Sequence, residues 1–108
     1  MPALLYTVRA TCQDVRQRGR YLAWLAPDHL LAVKAGGATA VRVVLPEREN
    51  DTAPVIVETQ YVFPSRKAFE TYVRDHAPAL RADGLKHFPP ESGITTTRQL
   101  AEIACELE

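Results

Sequence analysis

The nine residues VIVETQYVF, at positions 55–63, form the clearest strand pattern in the sequence. The odd-numbered positions carry Val55, Val57, Thr59, Tyr61 and Phe63. The even-numbered positions carry Ile56, Glu58, Gln60 and Val62. This period of two predicts a β-strand whose first set of side chains packs against a core, while the second set forms a face of mixed character.

Alternation of the same kind predicts three further strands. Residues 3–11 and 39–45 alternate clearly, whereas the segment 93–103 carries conflicting signals. Its β-branched run at 94–97 favours a strand, but the run at 99–104 has good helix formers at helical spacing. We predict a strand over about residues 93–103, because the topology requires a fourth strand there.

Two stretches with apolar residues at three- and four-residue spacing predict amphipathic helices. The first covers residues 13–34, and we expect Pro27 to interrupt it because proline removes a backbone donor. The second begins after Ser65, a predicted N-cap, and its apolar stripe reaches Leu80. Residues 84–88 are predicted to form a separate, short helical piece.

The predicted order of elements is β-α-β-β-α-β, the ferredoxin-like arrangement of an α+β fold. Right-handed crossovers place both helices on one face of a four-stranded antiparallel sheet, with the first strand between the third and the fourth. The length of 108 residues fits one domain over residues 1–108. The alternation then assigns a strongly apolar set to the face beneath the helices: Tyr6, Val8, Val41, Val43, Val57 and Phe63.

The opposite face of the sheet, called the open face from here on, has a mixed character. It carries Leu5, Thr7, Arg9, Arg42, Val44, Ile56, Glu58, Gln60 and Val62. Three interpretations remain open: the face meets solvent, a partner's sheet, or a cavity between two sheets. The pattern favours a partner's sheet, because monomers rarely expose a contiguous apolar patch. Two sheets paired in this way form a homodimeric α/β barrel.

Composition and charge argue against several partners and locations. Thirteen basic residues balance thirteen acidic ones, so no net field attracts nucleic acid. No apolar run approaches the ~18 residues of a membrane span. The N-terminus lacks the features of a signal peptide, so a cytoplasmic location is expected. Cys12 and Cys105 fall at opposite ends of the predicted sheet, on the order of 30 Å apart, and no intrachain disulfide is expected.

Two segments carry a resemblance to a known family. The first is Trp24 and His29 followed by Gly36-Gly37, and the second is the run HAPALRADGLKHF at positions 76–88. The chain resembles an uncharacterised bacterial family, a domain of unknown function within the dimeric α/β-barrel group. The resemblance implies a ferredoxin-like fold that forms a homodimer. The wider group includes cofactor-free monooxygenases, haem-degrading enzymes, isomerases and polyketide cyclases, whose shared cavity between sheet and helices is where a site is expected.

His29 is the leading candidate for chemistry. It falls on the apolar stripe of the first helix near Trp24, and a histidine is suited to general acid–base catalysis because it titrates near neutral pH. The alternative interpretation is a partly buried histidine satisfied by a backbone carbonyl. Trp24 and Tyr72 are expected to form walls of a pocket, although aromatic residues at such spacing also form plain core.

His76 and Arg42 are the remaining candidate ligand-binding residues. His76 lies on the second helix beside the Ala77–Pro78 junction, and its alternative role is a side-chain hydrogen bond that ends the helix. The functional interpretation of Arg42 is that it holds a carboxylate or enolate in a barrel cavity. In the alternative, Arg42 belongs with Arg9 and Glu58 to a polar set that fixes the register of the dimer.

No metal or cofactor is expected, since the histidines lack His-x-x-x-His spacing and no Cys-x-x-Cys pair accompanies them. Two functions remain open. In the first, the barrel binds a small, partly apolar organic molecule and acts on it by cofactor-independent acid–base, oxygenase, isomerase or cyclase chemistry. In the second, a non-catalytic dimer has a structural or ligand-sensing role. A closed, partly polar cavity of a few hundred cubic ångströms around His29 would favour the first.

Overall fold

The computed structural model of the protein describes residues 2–107, and its elements follow the predicted order. They are β1 (Leu4–Cys12), α1 (Val15–Trp24), α2 (Leu30–Ala35), β2 (Ala40–Val44), β3 (Val55–Phe63), α3 (Arg66–Asp75), α4 (Ala77–His87) and β4 (Thr95–Glu102). Each predicted helical stretch is therefore divided into two helices. A single 3₁₀ turn, Pro90–Ser92, leads from α4 towards the last strand.

The strands form one antiparallel sheet in the order β2-β3-β1-β4, which confirms the predicted topology. β1 lies at the centre, where Tyr6 pairs with Tyr61 of β3 and with Leu100 of β4. The ambiguous C-terminal segment is a strand, because its pairing with β1 outweighs the local helix propensity of residues 99–102. The sheet of a single chain is open at its two edges, so a closed barrel requires a second copy.

The break in the first helix falls where the sequence predicts it. Asp14 caps α1, and its Oδ1 accepts a hydrogen bond from the backbone N–H of Gln17 at 2.7 Å. α1 and α2 are separated by the turn Leu25–His29, in which Ala26 has an extended backbone (φ −118°, ψ 133°). The residue before a proline avoids the helical region for steric reasons. The break therefore places His29 at a bend, directly before α2.

The second helical stretch differs from the prediction. α3 ends at Asp75, and α4 continues from Ala77 to His87 without a break at Gly84. Pro78 lies in the first turn of α4, where its missing N–H would have no helical partner in any case. Gly84 lies within α4 rather than in a turn, and a Cβ there would make an ordinary van der Waals contact of 3.5 Å with the Cη2 of Trp24.

The helices cover one face of the sheet and enclose two clusters of buried side chains. One cluster includes Tyr6, Val33, Tyr61, Phe63 and Tyr72. The other includes Ala10, Cys12, Tyr21, Leu25 and Val57. Val57 and Phe63 are completely buried, as the alternation of β3 predicts.

The open face carries a chain of polar contacts between neighbouring strands. Arg9 and Glu58 form an ion pair within one chain at 3.1 Å. Gln60 donates to Glu58 at 2.8 Å and accepts from Arg42 at 2.8 Å. An exposed pair of this kind contributes at most about 1 kcal/mol, so the network orients side chains more than it stabilises the fold. Half-buried aliphatic residues surround it: Leu5, Val44, Ile56 and Val62.

Two further predictions concern the cysteines and the membrane. Cys12 is buried and Cys105 is exposed. Both are free thiols, and the sequence predicts no disulfide between them. Among residues 2–107, no helix has the length and apolar character needed to cross a membrane.

Candidate functional site

A cavity of about 350 Å³ lies between the covered face of the sheet and helices α1 and α4. Its walls come from both buried clusters and from the bend before α2. The side chains that matter for chemistry are Tyr6, Tyr21, Trp24, His29, Thr59, Tyr61, Tyr72, Arg81 and Arg98. The volume falls at the lower end of the range for small-molecule sites. The cavity is partly polar and His29 lines it, but it opens at a mouth, whereas the first functional hypothesis calls for a closed cavity.

His29 packs against Trp24 at the bend between α1 and α2. The two ring centroids lie 4.3 Å apart with an interplanar angle of 36°. The indole N–H of Trp24 donates to Oδ2 of Asp83 on α4 at 3.0 Å. Asp83 therefore fixes the orientation of the indole, and the indole in turn limits the motion of the imidazole.

The protonation of His29 is set by its burial. Desolvation lowers the pKa of His29 below its ordinary value of 6.5, and the negative charge of Asp83 opposes this shift only in part. The imidazole is therefore neutral at pH 7. A neutral imidazole has a free lone pair and can accept a proton from a bound molecule.

Two polar atoms in this cavity region have no hydrogen-bond partner among residues 2–107. They are Nδ1 of His29 and Oγ1 of Thr59, and both atoms are buried. Most buried polar groups in native proteins are paired, so an unpaired one calls for an explanation. For His29, the missing partner is evidence against the alternative of a histidine satisfied by a backbone carbonyl.

The tyrosines of the cavity are neutral hydrogen-bonding groups. Burial raises the pKa of Tyr21 to about 12 and that of Tyr72 to about 12. Burial, followed by the neighbouring phenols, also raises the pKa of Tyr61. Their hydroxyl groups therefore keep their protons at neutral pH and can donate to an oxygen of a ligand.

The rim of the cavity is formed by α4 and by the edge strand β4. The exposed rim residues are Arg81, Leu85, Thr95, Thr96 and Arg98. Arg81 reaches inward, where its Nη2 donates to the hydroxyl of Tyr6 at 3.4 Å. The mouth of the cavity thus lies between α4 and β4.

Three of the five predicted site residues meet in this cavity. Trp24, His29 and Tyr72 all line it, as the sequence interpretation requires. His76 lies outside the lining: it is exposed at the α3–α4 junction, and its ring stacks over Tyr72 at 6.4 Å. Arg42 projects from the open face, where it bonds to Gln60, so the sheet separates it from His29.

Besides further tyrosines, the structure adds Thr59, Arg81, Asp83 and Arg98, which the sequence interpretation did not select. The sequence could have pointed to Thr59, because it is the polar residue among the otherwise apolar or aromatic odd-numbered positions of VIVETQYVF. Arg81 and Asp83 lie inside the segment that carries the family resemblance. Arg98 shares its strand face with Leu100, but this face could be assigned only once β4 was known to be a strand.

Metal-binding side chains are dispersed. Within the described residues, no group of three or more His, Cys, Asp or Glu side chains is placed to hold a metal ion.

The sheet order and the one-sided helices define an α+β protein of the ferredoxin-like class, and solved structures share this fold. A dimeric ferredoxin-like protein from an uncultured marine organism is 14% identical, with 99% of this chain and 100% of that chain covered and a TM-score of 0.66. For a putative antibiotic biosynthesis monooxygenase from Bacillus cereus, the identity is 8%, the coverage 100% and 99%, and the TM-score 0.68. SnoaB, a cofactor-independent oxygenase from Streptomyces nogalater, is 13% identical, with coverage of 99% and 98% and a TM-score of 0.66.

Residues 3–103 match the family described as a domain of unknown function, DUF4286, and the chain belongs to this family. The predicted resemblance to a domain of unknown function with a ferredoxin-like fold is thereby confirmed. No curated protein matches the sequence.

Proposed function

We propose that this protein binds a small, partly apolar organic molecule in the cavity beside His29 and removes a proton from it without a cofactor. Two observations carry the proposal: His29 lines a cavity of about 350 Å³, and its buried Nδ1 has no hydrogen-bond partner among residues 2–107. A base that is neutral, desolvated and free of internal partners is suited to proton transfer at neutral pH.

The surrounding groups suit a substrate with an acidic C–H or O–H next to a conjugated ring. His29 takes the proton, and the charge that develops moves to the substrate oxygen. The hydroxyl groups of Thr59 and the neutral tyrosines then donate hydrogen bonds to that oxygen, as an oxyanion requires. The aromatic walls, including Trp24, hold the apolar body of the substrate.

Formation of such an enolate is the step that cofactor-free oxygenation, isomerisation and cyclisation have in common. Two proteins of the same fold support this chemistry: SnoaB is described as a cofactor-independent oxygenase, and another as a putative antibiotic biosynthesis monooxygenase. At 13% and 8% identity they share the fold alone, so the support for a particular reaction rests on the cavity residues of this chain.

The proposed assembly is a homodimer that buries the open face of each sheet. Solved structures of the same fold are described as dimeric ferredoxin-like proteins. The aliphatic residues around the Arg9–Glu58 pair supply apolar area, and the pair itself favours a single register.

The test is deuterium uptake from D₂O into the acidic position of small, enolisable aromatic ketones, measured by mass spectrometry. The His29→Gln variant should lose about 100- to 10,000-fold in exchange rate, the usual contribution of a general base. His87→Gln is the matched control, because His87 is half exposed and outside the cavity lining. Equal exchange by wild type and His29→Gln would contradict the proposed catalysis, and binding without exchange would favour ligand sensing.

A further inference from the structure

The mouth of the cavity carries two arginines from opposite sides. Arg81 projects from α4 and Arg98 from β4, and both line the cavity. No aspartate or glutamate stands among the lining residues of the described chain. Within residues 2–107, neither guanidinium forms a salt bridge. The lining thus carries two cations and no carboxylate, which gives the mouth a positive potential.

The nearby carboxylates are engaged or distant. Asp83 accepts from the indole N–H of Trp24 at 3.0 Å and lies 3.5 Å from the imidazole of His87. Arg81 and Asp83 are two residues apart on α4, a spacing at which helical side chains do not face each other. Glu102 shares its strand face with Arg98, but it lies about 13 Å along the strand at about 3.3 Å per residue.

Both arginines act on the same interior group. The positive charges of Arg81 and Arg98 each favour the ionised form of Tyr72, although burial dominates and keeps the pKa of that phenol raised. Arg81 also donates to the hydroxyl of Tyr6 at 3.4 Å, and its other N–H groups form no side-chain hydrogen bond within residues 2–107. Arg81 thus reaches the interior tyrosines through its contact with Tyr6, and Arg98 lines the same cavity from β4.

We propose that the natural ligand is the anion of a small aromatic carboxylic acid, whose carboxylate lies between Arg81 and Arg98 while its ring lies against Trp24 near His29. Guanidinium groups match the two oxygens of a carboxylate in paired, charge-assisted hydrogen bonds. A phosphate group has a charge of about −2 and three acceptor oxygens, and the lining residues supply no lysine for the additional charge. This inference rests on the proposed function and names the substrate class of the same site.

The test compares acids with their uncharged amides by isothermal titration calorimetry: benzoate with benzamide, and 2-naphthoate with 2-naphthamide. For the wild type, we expect each acid to bind at least about tenfold more tightly than its amide, as a charge-assisted contact predicts. Arg81→Gln and Arg98→Gln should each remove about tenfold of the affinity for the acid and leave the affinity for the amide unchanged. Arg98→Lys should restore part of the loss.

Arg20→Gln is the matched control, because Arg20 is an exposed arginine of α1 outside the cavity lining. Equal affinity of acid and amide, or equal weakening of both by the arginine variants, overturns the carboxylate assignment. Tighter binding of 2-naphthyl phosphate than of 2-naphthoate overturns it as well. If the amides bind and shift the NMR signals of the His29 ring, the proposed function survives such a failure. If neither acids nor amides bind, the carboxylate assignment fails, and the deuterium exchange of the enolisable ketones then decides the proposed function on its own.

Discussion

The buried imidazole of His29 couples the stability of the fold to pH. Its pKa is lowered in the folded protein, so below about pH 6.5 the unfolded chain binds a proton more readily than the folded one. Stability rises with pH wherever the unfolded state binds more protons. The contribution of His29 is therefore fully favourable above its unfolded pKa. It is lost as the pH falls from about 6.5 to the lower pKa of the folded state.

A His29→Gln variant should lose less stability between pH 7 and pH 5 than the wild type. Glutamine has no proton to bind in that range, so the linkage through this position disappears. The measurement is the free energy of unfolding in urea at several pH values. His87→Gln, at a half-exposed position, should retain the pH dependence attributable to His29. Identical slopes for wild type and His29→Gln would mean that this imidazole is not held neutral by burial.

The positions of individual residues show which parts of the site could be predicted from the sequence. The spacing placed His29 and Tyr72 on the apolar stripes of their helices, with Trp24 near His29, and all three line the cavity. Arg42 was assigned to the open face by the same alternation, and there it remains. Only the family resemblance implied a cavity beside His29, because an unfilled space depends on how several elements pack together.

Among the elements, the junction of α2 with α3 and α4 depends on a glycine. The sequence predicts that Gly36-Gly37 ends the first helical stretch, and Gly37 has the positive φ, +129°, that glycine adopts without strain. Gly36 has a second role in packing. A Cβ at this position would lie 3.0 Å from Cδ1 of Tyr72 and 3.0 Å from Cγ of His76.

Gly36→Ala should therefore destabilise the protein by about 1–3 kcal/mol, the usual cost of overpacking. Gly19→Ala is the matched control: Gly19 lies within α1, and its Cβ would meet nothing within 4 Å. There alanine should stabilise the fold by about 0.4–1 kcal/mol, since it restricts the unfolded chain. Urea denaturation of the two variants checks both signs, and a stabilising Gly36→Ala would show that Tyr72 and His76 move aside freely.

Local rules explain some elements and not others. Pro27 interrupts a helix in both the prediction and the structure, because its effect on the preceding residue is local. Pro78 instead lies in the first turn of α4, where a helix tolerates proline. The residues around a proline do not show whether it will end one helix or begin the next. The segment that forms β4 is a strand because it pairs with β1, which is far away in the sequence.

In the whole molecule, the two faces of the sheet have separate tasks in our proposals. The covered face forms the cavity, and the open face forms the dimer. The covered face was predictable because β1 and β3 alternate regularly, whereas a partner on the open face could be inferred only from exposed apolar area.

Val62→Glu should convert the dimer to a monomer at micromolar concentration. Val62 lies on the open face opposite Leu5, and an unpaired charge buried in an interface costs about 3 kcal/mol or more. Analytical ultracentrifugation gives the association state, and circular dichroism checks that the fold persists. Val15→Glu, at a position on α1 that is 52% exposed, should leave the dimer intact. A monomeric wild type, or an unchanged Val62→Glu dimer, would rule out the open face as the interface.

The regular alternation of β3 has a consequence for how this protein can change. Thr59 and Tyr61 line the cavity, whereas Glu58 and Gln60, their immediate neighbours in the chain, belong to the open face. In β3, residues that line the cavity therefore alternate with residues of the open face. A substitution at an odd-numbered position changes the cavity and leaves the open face unchanged, and the reverse holds for an even-numbered position. Selection, or a directed-evolution library, can remodel ligand preference while assembly stays constant. Inserting a single residue into β3 would move the cavity residues beyond the insertion to the open face and the open-face residues to the cavity.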